Sequence, residues 1–166
     1  HSNGIKVLVA DSNRSELQEA RMLGLNTYFG NPLSEHADRF MDLAGYTELL
    51  ALSRNPEANA MVCARFRHDF GTRHVYSIQP ASSEEDSQRK ALAQGLRTNV
   101  MFSKDATWAK LASLLGQGGR IRTTKLTENF DFEAYQISLS KSSVLMFAIN
   151  DKNRLKVFSS REQISP

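Results

Sequence analysis

The sequence predicts an α/β fold: a truncated parallel sheet with flanking helices, followed by a small antiparallel β unit. Short apolar runs alternate with amphipathic segments of helical period, at the spacing of repeated βα units. The runs end in Asp, Ser, Gly or Asn, residues that turn the chain between a strand and a helix. After Gly118-Gly119 the helical period gives way to β signals. Residues 1–117 are read as one parallel α/β domain and residues 118–166 as a β-rich unit.

The first unit is a buried strand at 5–10 followed by Asp11, a helix at 14–23, and a second strand closing on Gly30-Asn31. Asn13 caps that helix, Glu16 three residues on completes a capping box, and Gly24 ends it in the left-handed region. Asn13 and Ser12 fit a ligand role as well as a capping one. A polar helix at 34–43, a strand at 48–52 and a loop at 53–56 follow, with Pro56 in the first turn of a long helix reaching Phe70. Val62, Cys63, Phe66 and Phe70 share one face of it, which makes Cys63 a core residue and not a reactive thiol.

A third unit has a strand at 74–78, a helix at 84–95, a strand at 99–102 and a helix at 105–115. Ser103 or Asp105 is the expected cap of the last helix, and Trp108, Leu111, Ala112 and Leu115 make its apolar stripe. In the C-terminal unit, residues 120–126 alternate, 144–150 are apolar, and 154–159 alternate again after a polar turn, Asn150-Asp151-Lys152-Asn153. One hairpin is expected there. Phe130, Phe132 and Tyr135 are read as a local cluster covering the small sheet, with a docking face as the other reading.

Composition narrows the function. Twenty-one Lys and Arg stand against 18 Asp and Glu, mixed along the chain for a net charge of +3, so no nucleic-acid partner is expected. A single cysteine excludes an internal disulfide and any cysteine-based zinc site, and it fits a reducing compartment. His68 and His74 lack an acidic partner at ligand spacing, so no metal site is expected. The longest apolar run, 144–149, falls far below the ~18 residues of a spanning helix, and the stretch is expected to be soluble.

Asp11 carries the functional reading. In a Rossmann-like fold the carboxylate at the tip of the second strand accepts hydrogen bonds from the adenosine ribose, and Asp11 stands at such a tip. The Gly-rich turn belongs one unit earlier, and only His1 to Gly4 precede the strand. The first strand, phosphate loop and first helix are therefore expected to lie outside this sequence. In the order 3-2-1-4-5-6 that first strand is central, so its neighbours at 5–10 and 48–52 are expected to close up and pair directly.

These residues carry a resemblance. The run Val7-Leu8-Val9-Ala10-Asp11, then Leu23 through Gly30-Asn31, then Leu50-Ala51-Leu52-Ser53-Arg54-Asn55 with Glu57 and Asn59, resembles the RCK or KTN regulatory domains of potassium channels and transporters. The stretch Asn99-Val100-Met101-Phe102 before Asp105-Ala106-Thr107 is similar to the end of that domain. Leu145-Met146-Phe147-Ala148-Ile149 with Arg154-Leu155-Lys156-Val157-Phe158 resembles the cytoplasmic tail of bacterial NhaP-type cation/proton antiporters.

The resemblance implies a regulatory module, not an enzyme: NAD(H) or AMP across the strand tips, a homodimer, and a membrane antiporter domain in the same polypeptide at the cytoplasmic face of the inner membrane. By that resemblance Asp11 matches the ribose-binding acid, Ser12, Asn13 and Arg14 the loop beside the adenosine, Gly30 and Asn31 the adenine-side strand end, and Ser53, Arg54 and Asn55 the loop after the next strand. Asn31 replaces the family's usual acid, and without the Gly-rich turn this stretch is expected to bind nucleotide weakly or not at all. The alternatives are a fragment of an NAD-dependent oxidoreductase and a structural dimerisation module with a vestigial site. Against the enzyme, no His, Lys or Tyr forms an acid/base constellation at the strand tips.

Overall fold

The computed structural model describes residues 1–80, 98–103, 105–140 and 142–159. Its architecture is α/β, with parallel sheets flanked by helices and a small antiparallel sheet. Strand β1 (Leu8–Asp11) pairs in parallel with β2 (Asn26–Phe29), placing Asp11 opposite Phe29. Helix α1 (Arg14–Met22) connects them, burying Leu17 and Ala20. Gly24 ends the turn after α1 at φ 77°.

Helix α2 (Glu35–Phe40) follows, its N-cap Ser34 accepting from the Ala37 N–H. Strands β3 (Leu49–Ala51), β4 (Val75–Ser77) and β5 (Asn99–Val100) form a second parallel sheet in that order. Helix α3 (Pro56–Phe70) links β3 to β4, with Pro56 in its first turn. Successive strand residues point to opposite faces, and the core divides accordingly. Ala51 and Val75 pack with Cys63 of α3, while Leu50 and Tyr76 point the other way, onto a cluster of Met101, Phe102, Ala106 and Val157.

That second cluster brings in the C-terminal unit. Helix α4 (Trp108–Gly116) contributes Leu111 to it, and the hairpin strand β7 (Leu155–Val157) contributes Leu155 and Val157. Strand β6 (Phe147–Ile149) pairs antiparallel with β7 around the turn at 150–153, as expected. Between α4 and the hairpin, helix α5 (Phe132–Ser138) stacks Phe132 on Phe158, with ring centroids 6.0 Å apart, so this aromatic covers the small sheet.

Four expectations are corrected. Strands β1 and β3 do not pair: β1 bonds β2 and β3 bonds β4, in separate sheets. Closure assumed two buried edges, yet Ala10 is exposed and Leu8, Val9, Leu49 and Leu50 are only half-buried. Water can satisfy such edges, which removes the desolvation cost that would force the strands together. Residues 120–126 form no strand, because they are exposed throughout and have no ladder partner among the described residues. The cap of α4 is Thr107, whose side chain accepts from the Lys110 N–H, and not Ser103 or Asp105. At α1 the capping box is not made: the Asn13 N–H that Glu16 would accept is held by Asp11 Oδ1 at 2.7 Å. The expected helix at 84–95 lies outside the described residues.

Candidate functional site at the strand tips

Within each sheet the parallel strands end on the same side, and the polar residues singled out above lie at or just after those C-terminal ends, one set at each sheet. At the first sheet, Asp11 is the tie point. Its backbone carbonyl accepts the Gly30 N–H at 2.9 Å, joining the tips of β1 and β2. Its Oδ1 accepts the Asn13 N–H at 2.7 Å, which holds the following loop against the strand. Its Oδ2 has no hydrogen-bond partner among the described residues, and a carboxylate oxygen accepts up to two donors. Ser12 is exposed beside it.

Asn13 is a true N-cap: its Oδ1 accepts the Ser15 N–H at 3.0 Å. Arg14 lies over the Phe29 ring, 4.6 Å from the centroid. Gly30 sits at φ 141°, and a Cβ there would meet Tyr28 Oη at 3.2 Å, so the tip of β2 requires glycine. Asn31 is spent on local structure. Its Oδ1 accepts the Leu33 N–H at 2.9 Å and its carbonyl accepts from Ser34 Oγ at 2.7 Å, forming the turn into α2. The amide therefore does a turn-former's work at a position where the resembled domains carry an acid.

At the second sheet, Asn55 caps α3 through Oδ1 to the Ala58 N–H at 3.0 Å, and Ser53 Oγ donates to the Asn55 carbonyl at 3.0 Å. Arg54 is stacked 3.9 Å above the Trp108 ring centroid, pinning the loop after β3 to the start of α4. The residue that fixes this loop is Asn59, 3% exposed. Its Oδ1 accepts the Ser53 N–H at 3.0 Å while its Nδ2 donates to the Ser53 carbonyl at 2.9 Å. A polar residue on the apolar face of α3 was the sequence signal for that role.

The nine expected residues thus form two groups. Asp11, Ser12, Asn13, Gly30 and Asn31 cluster at the first sheet, with Arg14 turned onto Phe29; Ser53, Arg54 and Asn55 cluster at the second. Among the described residues no hydrogen bond or ion pair joins the two groups. The chemistry on offer is recognition: a carboxylate acceptor with an open oxygen, exposed hydroxyl and amide groups, and guanidinium planes.

A polar pair away from the tips was not anticipated. His74 Nδ1 lies 2.8 Å from Glu48 Oε1, and burial pushes the Glu48 carboxyl above its ordinary range against the opposing pull of His74. Cys63 is fully buried, and burial pushes its thiol up to about 12, so it is held as the neutral thiol. No group of three or more His, Cys, Asp or Glu able to hold a metal occurs among the described residues. No helix among them is long and apolar enough to cross a membrane.

Fold and tips together define an α/β domain with polar residues gathered at the strand ends of each parallel sheet. No family model and no curated protein matches the chain. Among solved structures it is similar to the NAD(P)-binding domain of an exopolyphosphatase-related protein from Archaeoglobus fulgidus, at 20% identity and a TM-score of 0.45, over 70% of this chain and 80% of that one.

Proposed function

We propose that the chain is a regulatory domain of a monovalent cation/proton antiporter, acting at the cytoplasmic face of the membrane. In this reading it senses an adenine nucleotide, AMP or NAD(H), at the strand tips and pairs with a second copy of itself. The observation that carries the reading is the Asp11 carboxylate: fixed at the end of β1 by the Asn13 N–H, tied to the tip of β2 through Gly30, and open at Oδ2. Ribose hydroxyls donating to that oxygen make charge-assisted bonds worth roughly 1.5–3 kcal/mol each when shielded from water. The order and spacing of the motifs along the chain support the antiporter context. Among the described residues the tips carry no acid/base constellation arranged to move a proton, a feature that suits a sensor better than a dehydrogenase.

The test is a calorimetric titration with adenosine, AMP and NADH on the wild type and on Asp11→Ala. The variant is expected to lose the binding that the wild type shows. Identical titrations of the two proteins would overturn the ribose role of Asp11, and reduction of a substrate by NADH would move the chain to the enzymes. Self-association is expected through α4, where Leu115 is 56% exposed next to the turn carrying Leu111. Sedimentation at micromolar concentration is expected to show a dimer, and Leu115→Asp to shift it to monomer.

A further inference from the structure

Helix α1 separates its charges. Counting about 100° per residue, Arg14, Leu17, Gln18 and Arg21 fall within one arc of about 100°, and Glu16 and Glu19 lie on the opposite side. The basic arc lines an open groove of about 380 Å³, whose remaining wall is Phe29 at the end of β2. Arg14 lies over the Phe29 ring, and Arg21 Nε donates to Thr27 Oγ1 at 2.7 Å. That bond orients the Arg21 guanidinium and leaves its other N–H donors for a ligand. Neither arginine pairs with a carboxylate among the described residues. Phe29, 42% exposed, supplies apolar surface beside the two charges, while Leu17, 1% exposed, belongs to the core.

We propose that this groove is an anion site for a phosphate monoester carried on a planar apolar group. The phosphate dianion is held between the Arg14 and Arg21 guanidiniums and the Gln18 amide, and the planar group packs against the part of Phe29 that Arg14 leaves exposed. The arginine Cα atoms are about 10 Å apart by helical rise, a span that two long side chains close around one dianion. A phosphate monoester has three terminal oxygens and up to two charges, so it can serve both guanidiniums and the Gln18 amide at once, where a lone carboxylate has two oxygens and one charge. The groove borders Asp11, which pairs with Phe29 in the β1–β2 register without lining the groove, and chemistry separates the two roles: the carboxylate accepts from hydroxyls while the guanidiniums donate to a phosphate.

The experiment is calorimetric titration of the full chain with phenyl phosphate, with phenol and adenosine in parallel. Wild type is expected to bind phenyl phosphate and not phenol. Arg21→Gln is expected to weaken phenyl phosphate by roughly tenfold or more, the scale of a lost charge-assisted pair, and to leave adenosine unchanged. Gln18→Glu, which sets an acid between the guanidiniums without altering the apolar face of α1, is expected to abolish phenyl phosphate binding. Asp11→Ala is expected to show the reverse pattern, affecting adenosine only. Equal affinity of wild type and Arg21→Gln for phenyl phosphate, or no binding by wild type at millimolar ligand, overturns the proposal whatever adenosine does.

Discussion

Glu48 and His74 meet at the N-terminal ends of β3 and β4, Oε1 to Nδ1 at 2.8 Å, across 26 residues of chain. The Glu48 side chain is only 12% exposed, and its Oε2 is buried with no hydrogen-bond partner among the described residues. One oxygen of the carboxyl is thus served and the other is not.

That imbalance gives a pH dependence with a definite sign. Desolvation raises the Glu48 carboxyl in the folded state, and the His74 hydrogen bond and charge offset only part of the rise. Its stabilising contribution is complete below the unfolded value of about 4.3 and is lost as pH rises through the raised folded value. Glu48→Gln stays neutral, so its stability relative to wild type is expected to rise as pH passes up through that window and to be flat below it. Urea unfolding of both proteins at acid and at mildly alkaline pH checks this.

Asn59 satisfies both backbone groups of Ser53 from a buried position. Asn59→Ala removes a donor and an acceptor together and is expected to destabilise by roughly 2–3 kcal/mol, read as a shift in urea midpoint. At acid pH a protonated Asn59→Asp side chain can still both accept and donate, so a cost there as large as that of alanine would argue against the reciprocal clamp.

Gly30 combines φ 141° with the close approach of Tyr28 Oη. Gly30→Ala is expected to lower stability by roughly 1–3 kcal/mol through backbone strain, and to weaken adenosine binding because the Gly30 N–H fixes the Asp11 carbonyl. Thermal melts and the same titration measure the two effects separately.

Cys63, fully buried with its thiol pushed up to about 12, is expected to resist alkylation by iodoacetamide in the native protein and to react once urea unfolds it. Rapid native-state labelling at neutral pH, followed by mass spectrometry, would contradict that placement.

The sequence by itself determined the order of strands and helices from β1 to β4, the helix cap Asn13, the place of Pro56 in the first turn of α3, the buried face of α3 around Cys63, and the hairpin turn after Ile149. Each of these is local. A cap, a turn or a helical face depends on residues within a few positions of one another, and its signal survives in the spacing of residue types. The tertiary structure alone decided what depends on distance. Whether β1 meets β3 turned on how much water reaches their edges, and no run of apolar letters reports that. The stacking of Arg54 on Trp108, the pairing of Glu48 with His74 and the joining of Leu50 to Val157 in one core bring together residues far apart in the chain. The placement of Arg14 on Phe29, and with it the groove along α1, has the same origin: the arc is written in the helix period, but the aromatic wall comes from the neighbouring strand.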